Sequence, residues 1–244
     1  MAVERIHLLK VPVDIVPPEC IEETIYSLLE KPGTKQIIFL SIWDLLRARR
    51  NSKFAECLKN ADLILPISKS ILKGAAFLKL AVPVRYNPFY AIISFLSALE
   101  SRYKSLYLFG GRKKTLTQAE KNVRVTFPGI QFLGRYVGYY HKTREADIIS
   151  AIYKASPSIV LMGDGIPDKD NWVYARRNRF SSSIFVYYKD IINIFSKRTK
   201  HISQKAFDKG KEKWIEIAHN PLKIFRIFPF FWYKILLIWY RIVK

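Results

Sequence analysis

The chain contains few cysteines and few acidic residues, and it lacks an apolar run long enough to cross a membrane. Its two cysteines, Cys20 and Cys57, are too few for a disulfide framework and lack the spacing of metal ligands. Such low cysteine usage fits a reducing cytosol. The N-terminal segment also lacks the basic-then-apolar pattern of a secretory signal peptide. We therefore expect a cytoplasmic protein.

Basic residues outnumber acidic ones by two to one. Lys and Arg total 41 against 20 Asp and Glu, which gives a net charge of +21. This charge indicates a polyanionic partner, namely an anionic membrane surface, a nucleic acid or a phosphorylated substrate. The sequence has no helix-turn-helix, RRM or zinc-finger signature, and its positive charge is concentrated beside apolar aromatics. Nucleic-acid binding therefore ranks last, and no nucleic-acid partner is expected.

Strand and helix patterns alternate along most of the 244 residues, half of which are hydrophobic. Their spacing demands crossover connections, which predicts a doubly wound α/β domain with a mainly parallel sheet and helices on both faces. We place this domain at residues 1–194 and a basic appendage at 195–244. The predicted strands are 6–16, 36–42, 61–66, 105–109, 131–135, 159–162 and 183–188. The predicted helices are 19–29, 44–50, 54–58, 71–80, 90–101, 117–126, 145–155, 170–180 and 205–218.

One stretch, residues 156–172 (SPSIVLMGDGIPDKDNW), combines an apolar strand with a glycine-rich loop and a helix start. The loop runs from Gly163 to Pro167, and Asp168 or Asp170 can cap the helix that follows. This arrangement binds anionic groups at the carboxyl edge of α/β sheets. An equally good interpretation is that the glycines only permit a tight turn.

The last fifth of the chain is basic and aromatic. Residues 195–244 contain twelve Lys and Arg against three Asp and Glu, a net charge of +9. The final apolar stretch is interrupted by Lys234 and Arg241 and falls short of the roughly 20 residues that span a bilayer. We predict binding to a membrane surface, because Trp and Tyr favour the headgroup level and basic residues favour anionic lipid. The alternative is a helix docked on the core. The predicted membrane-binding residues are Arg226, Trp232, Lys234, Trp239 and Arg241.

Six short segments, in unbroken order, resemble the motifs of the WecG/TagA/CpsF glycosyltransferases (glycosyltransferase family 26). They are ADLILP at 61–66, VPVR at 82–85, LYLFGG at 106–111, FPGIQFLGRYVGYY at 127–140, the stretch 155–172 and PLKIFRIF at 221–228. The resemblance implies a Rossmann-like α/β domain with a basic C-terminal appendage that docks on the membrane.

The resemblance also implies an activity. Family members transfer an N-acetylmannosamine-type sugar or a related hexose from a UDP-sugar to a polyprenyl-diphosphate-linked acceptor, in cell-envelope polysaccharide synthesis. No cofactor and no tightly held metal are expected. The protein would attach peripherally to the inner face of the cell membrane.

Glycosyl transfer requires that the diphosphate is held, that its growing charge is stabilised and that the acceptor hydroxyl loses a proton. Residues that match the family motifs are the expected substrate-binding set. They are Arg85, Gly110, Gly111, Gly134, Gly138, Tyr139, Gly163, Gly165, Pro167, Asp190 and Arg198.

Several family positions are changed in this sequence. The Asp expected as general base falls on Ile67, and a Thr and an Asn fall on Phe39 and Ser41. A relocated base would be Asp164, Asp170 or His141, although helix capping and solvated loops explain the same residues. The alternative is a catalytically inactive family member that acts as a membrane-associated scaffold or regulator.

Overall fold

Apolar strands form a six-stranded parallel sheet around which the helices are arranged. The structure, a computed structural model, describes residues 3–210 and 228–243. Across the sheet the order is β4-β3-β8-β7-β5-β6, and every neighbouring pair is parallel. This confirms the predicted α/β class. The strands are β1 (Glu4–Leu8), β2 (Val11–Ile15), β3 (Lys35–Leu40), β4 (Leu63–Pro66), β5 (Ser105–Phe109), β6 (Gln131–Tyr136), β7 (Ile159–Met162) and β8 (Ile184–Tyr187).

Helices cover both faces of the sheet because successive side chains of each strand point to opposite sides. In β3, Ile37 and Phe39 face one apolar cluster, and Ile38 and Leu40 face another. The first face packs against α1, α5, α6 and α9, and the second against α2, α3, α4, α7, α8 and α11. The helices are α1 (Ile21–Glu30), α2 (Ile42–Ala48), α3 (Ser52–Lys59), α4 (Lys69–Phe77), α5 (Pro88–Ser101), α6 (Lys113–Thr126), α7 (Glu145–Ala155), α8 (Asp170–Tyr174), α9 (Ile191–Phe195), α10 (Gln204–Asp208) and α11 (Phe228–Val243).

The parallel order brings the carboxyl ends of the sheet strands to one edge, which we call the carboxyl edge. From β3 the chain moves outward to β4, and from β5 it moves outward to β6 on the opposite side. Strands β8 and β7 fill the space between. Ligands of open α/β sheets bind outside the carboxyl ends, where the connections diverge.

The predicted first strand, residues 6–16, is wrong in one respect, because it is a hairpin of β1 and β2. The chain turns at Leu9 and Lys10, whose φ angles are 52° and 71°. Two successive positive φ angles match the strand twist of a tight hairpin. Buried Asp14 holds the hairpin against β4, because it accepts from the Ile64 amide (2.7 Å) and from Arg5 Nε (2.6 Å). Leu-Lys is not a usual signal for such a turn.

Two predicted helices end well before their predicted last residues. The predicted helix 170–180 ends at Tyr174, after which a short 3-10 turn, Arg177–Arg179, brings the Arg177 carbonyl to the Thr34 hydroxyl (2.8 Å). The predicted helix 205–218 corresponds to α10, which ends at Asp208 before Gly210, a glycine with φ of 73°. Residues 211–218 lie outside the described residues.

The last helix, α11, docks on α4. Tyr233 is 2% exposed and Leu237 is 8% exposed, and the Tyr233 hydroxyl donates to the Ser70 carbonyl at 2.8 Å. Gly74 permits this contact, because a Cβ atom there would collide with the Tyr233 hydroxyl. No helix in the described parts of the chain is long and apolar enough to cross a membrane.

Candidate functional site

The loops after β5, β6 and β7 are joined by backbone hydrogen bonds at the carboxyl edge. The Gly111 amide donates to the Asp164 carbonyl (2.8 Å), and the Gly138 amide donates to the Gly111 carbonyl (2.9 Å). The Tyr139 amide donates to the Gly165 carbonyl (2.7 Å). The structure therefore brings together residues that were predicted from three separate segments of the sequence.

Glycine is required where these loops touch. A Cβ atom on Gly110 would lie 2.8 Å from the Gly163 backbone nitrogen, and one on Gly138 would collide with the Asp164 carbonyl. The amides of Gly110 and Gly163 donate to Tyr136 and Phe109 of the neighbouring strands. These two amides therefore join each loop to the end of the neighbouring strand.

Three successive amides of the β7 loop remain available. Among the described residues, the N–H groups of Asp164, Gly165 and Ile166 have no hydrogen-bond acceptor. Consecutive free amides in a turn form a concave site that suits anions. Pro167 follows them and is exposed.

Beside this loop lies a tyrosine–carboxylate pair. The Tyr139 hydroxyl donates to Asp164 Oδ2 at 2.8 Å, and this hydrogen bond is the main reason that the pKa of Tyr139 is raised. The other oxygen, Asp164 Oδ1, is buried and has no partner in the described chain. The Arg112 guanidinium lies 5.7 Å from the centre of the Tyr139 ring, and the Arg198 charge also acts on this phenol. Two arginines thus flank the loop, and the sequence interpretation named only Arg198.

Acidic side chains also converge on Tyr187, the last residue of β8. Loss of water raises the pKa of Tyr187, and the charges of Asp170, Asp164 and Asp190 raise it further. These acids come from the loops after β7 and β8. The charges of all three acids that the sequence placed in the site therefore act on this one tyrosine.

Asp170 has the most perturbed carboxyl group of the site. Loss of water, followed by the nearby charge of Asp44, raises the pKa of Asp170 from 3.8 to about 7. Asp44 caps α2, where it accepts from the Ser41 hydroxyl at 2.5 Å. Gln36 fixes the start of α8 through a hydrogen bond from Nε2 to the Asp170 carbonyl (2.9 Å). A carboxyl group with a pKa near neutrality suits a general base.

Comparison with known proteins agrees with this architecture. The family model described as the glycosyl transferase WecG/TagA/CpsF family matches residues 6–244. The chain belongs to the WecG/TagA/CpsF glycosyltransferase family. It is also similar to the N-acetylglucosaminyldiphosphoundecaprenol N-acetyl-beta-D-mannosaminyltransferase of Bacillus spizizenii. The two are 25% identical over 178 residues, which are 72% of this chain and 68% of the relative. The family resemblance and the glycosyltransferase class predicted from the sequence are confirmed.

In this WecG/TagA/CpsF family member, the position at which the resemblance predicts the general base lies in the β4 loop. Ile67 occupies it, partly buried against the apolar cluster of the first sheet face. Phe39 also packs in this cluster, with its ring stacked 6.4 Å from that of Phe95. The β4 loop, residues 67–68, contains no carboxylate, and the acids of the site lie after β7 and β8.

Arg85, which the family resemblance assigns to substrate binding, contacts the protein with two of its nitrogens. Its Nε donates to the Ile67 carbonyl (2.9 Å) and its Nη1 to the Phe207 carbonyl (2.6 Å). The guanidinium also stacks on the Phe207 ring, 3.6 Å from its centre. Arg85 therefore connects the β4 loop to α10. Its role in substrate binding stays a prediction.

Three further predicted residues lie at the margin of this site or outside the described chain. Gly134 lies inside β6, where a Cβ atom would be 2.7 Å from the Tyr107 ring. His141 is exposed and caps a turn through Nδ1 and the Thr143 hydroxyl (2.9 Å). Arg226 lies outside the described residues. Within the described residues no group of three or more His, Cys, Asp or Glu side chains could hold a metal ion.

Proposed function

We propose that this protein transfers an N-acetylhexosamine or hexose from a UDP-sugar to a polyprenyl-diphosphate-linked acceptor in cell-envelope polysaccharide synthesis. One observation carries the proposal: the β7 loop presents unpartnered amides at the carboxyl edge, and the segment that follows it carries a carboxyl group with a pKa of about 7. The name of the Bacillus relative describes an N-acetylmannosaminyltransferase that acts on N-acetylglucosaminyldiphosphoundecaprenol, and it supports this choice of acceptor and sugar.

The β7 loop would hold the diphosphate of the donor. The amides of Asp164, Gly165 and Ile166 suit its oxygens, and Arg112 and Arg198 add positive charge beside them. The negative charge on the leaving UDP grows as the sugar departs. Preorganised donors stabilise such a charge most where water is excluded.

Asp170 is the base that we assign to the reaction. The acceptor oxygen bonds to the anomeric carbon of the sugar, the bond from that carbon to the UDP oxygen breaks, and the acceptor proton passes to Asp170. A carboxyl group with a pKa of about 7 is ionised in half of the molecules at that pH, so it can accept the proton. Asp164, whose Oδ1 lacks a partner in the described chain, is the second candidate.

The outer surface of α11 supports membrane attachment. Trp232 is 48% exposed and Trp239 is 63% exposed, while Tyr233 and Leu237 bury the opposite side of the helix. An exposed apolar face with aromatic and basic residues is typical of helices that lie in a membrane interface. The apolar members of this outer face are Phe231, Trp232, Ile235, Ile238, Trp239, Ile242 and Val243.

Release of UDP tests the activity. The purified full chain is incubated with UDP-N-acetylmannosamine, UDP-N-acetylglucosamine or UDP-glucose and with an N-acetylglucosaminyl polyprenyl diphosphate. We expect turnover with one donor, and a loss of about 10²–10⁴-fold for Asp170→Asn. Asp168→Asn, an exposed neighbour in the same loop, is the matched control and should keep its activity. Absence of both UDP binding and turnover would reject the proposal.

The packing of Ile67 favours a second candidate, an inactive scaffold or regulator of the same pathway. The same assay separates the two. UDP binding without turnover on any donor supports the scaffold, whereas turnover that depends on Asp170 or Asp164 excludes it.

Sedimentation with lipid vesicles tests the attachment. The full chain should bind anionic vesicles more tightly than zwitterionic ones, and Trp232→Gln/Trp239→Gln should weaken that binding. Val125→Gln/Tyr153→Gln, which also replaces two exposed apolar side chains, is the control. Equal losses for both double variants would contradict a role for α11.

A further inference from the structure

A groove between α4 and α11 is not used by the proposed chemistry. It has a volume of about 530 Å³, within the range of about 300–1,000 Å³ that is usual for small-molecule pockets. Its walls are mostly apolar and include Phe77, Phe230, Leu237 and Ile238. Such walls suit a hydrocarbon chain.

The charged side chains that line the groove are all positive. They are Lys69, Lys73 and Lys234, and no acidic side chain of the described residues lines it. The Ser70 carbonyl on its wall already accepts the Tyr233 hydroxyl. The groove therefore offers cations and hydrocarbon, which match an anionic head group on an apolar chain.

One of these cations, Lys69, lies at the end of the groove nearest the carboxyl edge. Lys69 is the first residue of α4 and follows the β4 loop, whereas Phe77 ends the helix and packs under Arg241 (4.6 Å). Ile238 both lines the groove and belongs to the exposed apolar face of α11. A chain in the groove would continue directly onto the face that we assign to the membrane.

We infer that this groove binds the lipid end of the acceptor, with a polyprenyl chain between α4 and α11 and its diphosphate on Lys69, Lys73 and Lys234. The inference rests on the proposed function, because the acceptor defines the ligand. A bound chain would leave the sugar at its head on the side of the carboxyl edge, where the donor loop lies.

Calorimetric titration of the full chain tests this inference, with farnesyl diphosphate, inorganic diphosphate, dihexanoyl phosphatidylglycerol and UDP as probes. Farnesyl diphosphate should bind at least about tenfold more tightly than inorganic diphosphate, because only the former fills the apolar walls. Lys69→Glu/Lys73→Glu should weaken its binding by about tenfold or more and leave UDP binding unchanged. Ile238→Asp, at an exposed position, should also weaken it.

The control is Lys113→Glu/Lys114→Glu, which makes the same charge change at exposed positions on α6, on the other sheet face. It should alter farnesyl diphosphate binding by less than about threefold. Equal losses in both double variants, no preference over inorganic diphosphate, or equally tight phosphatidylglycerol binding would each overturn the inference. If farnesyl diphosphate binds and the groove variants weaken its binding, but UDP does not bind, the lipid-binding groove is supported and the donor site is rejected. UDP binding without farnesyl diphosphate binding would reject the groove alone.

Discussion

The perturbed carboxyl group of Asp170 leads to a prediction about stability and pH. Its pKa rises from 3.8 to about 7 on folding, so the ionised form is disfavoured in the folded protein. Stability is therefore lost as pH rises between these two values, since the unfolded chain releases this proton first. Asp170→Asn removes the titration while preserving the shape of the side chain. The variant should be more stable than the wild type above neutrality.

The magnitude follows from linkage. Between the two pKa values, the carboxyl group is ionised in the unfolded chain and protonated in the folded one. Each pH unit in this range lowers the free energy of unfolding by about 1.4 kcal/mol. From about pH 5 to about pH 8, roughly two such units are crossed before the folded group also ionises. The stability advantage of Asp170→Asn should therefore grow by about 2.5 kcal/mol over this range.

Urea unfolding of the wild type and of Asp170→Asn at both pH values measures this difference. Asp168→Asn is the control, because that side chain is exposed and Asn tolerates its φ of 54°. Its stability difference from the wild type should not change with pH. If Asp170→Asn stabilised the protein equally at both pH values, the carboxyl group would have an ordinary pKa. The pKa would then no longer support its role as the base. In the wild type, transfer activity should rise with pH through about 7.

Three other variants test further contacts. Gly74→Ala should release α11, because the added methyl group collides with the Tyr233 hydroxyl. Limited proteolysis should then cleave α11 faster than in the wild type. An unchanged cleavage rate would contradict the docking of α11. Arg85→Lys should lower the free energy of unfolding by about 1–3 kcal/mol, because it loses the stack on Phe207 and a hydrogen bond. Urea unfolding measures this change, and an unchanged free energy would show that these contacts do not stabilise the fold. Tyr139→Phe should weaken UDP binding by up to about tenfold in calorimetry, because it removes the hydrogen bond to Asp164. The free energy of unfolding should not fall, since the side chain is 62% exposed. Unaltered UDP binding would place the donor elsewhere.

Part of the candidate site was predictable from the sequence. The glycine loops after three strands must meet if the strands are parallel, because their carboxyl ends then share an edge. Asp164 and Asp170 follow β7 and Asp190 follows β8, and the structure gathers all three around Tyr187. The contributions of Asp44, Gln36 and Arg112 were not predictable, since each depends on a contact between distant segments.

The sequence by itself determined the α/β class, the succession of most strands and helices, and the family. Local apolar periodicity and the order of short motifs carry that information. Only the tertiary structure decided the strand order, the hairpin at Leu9 and Lys10, the raised pKa of Asp170 and the cationic groove beneath α11. These features arise from burial and from charges brought together across the fold, and no local pattern in the chain encodes the loss of water that produces them.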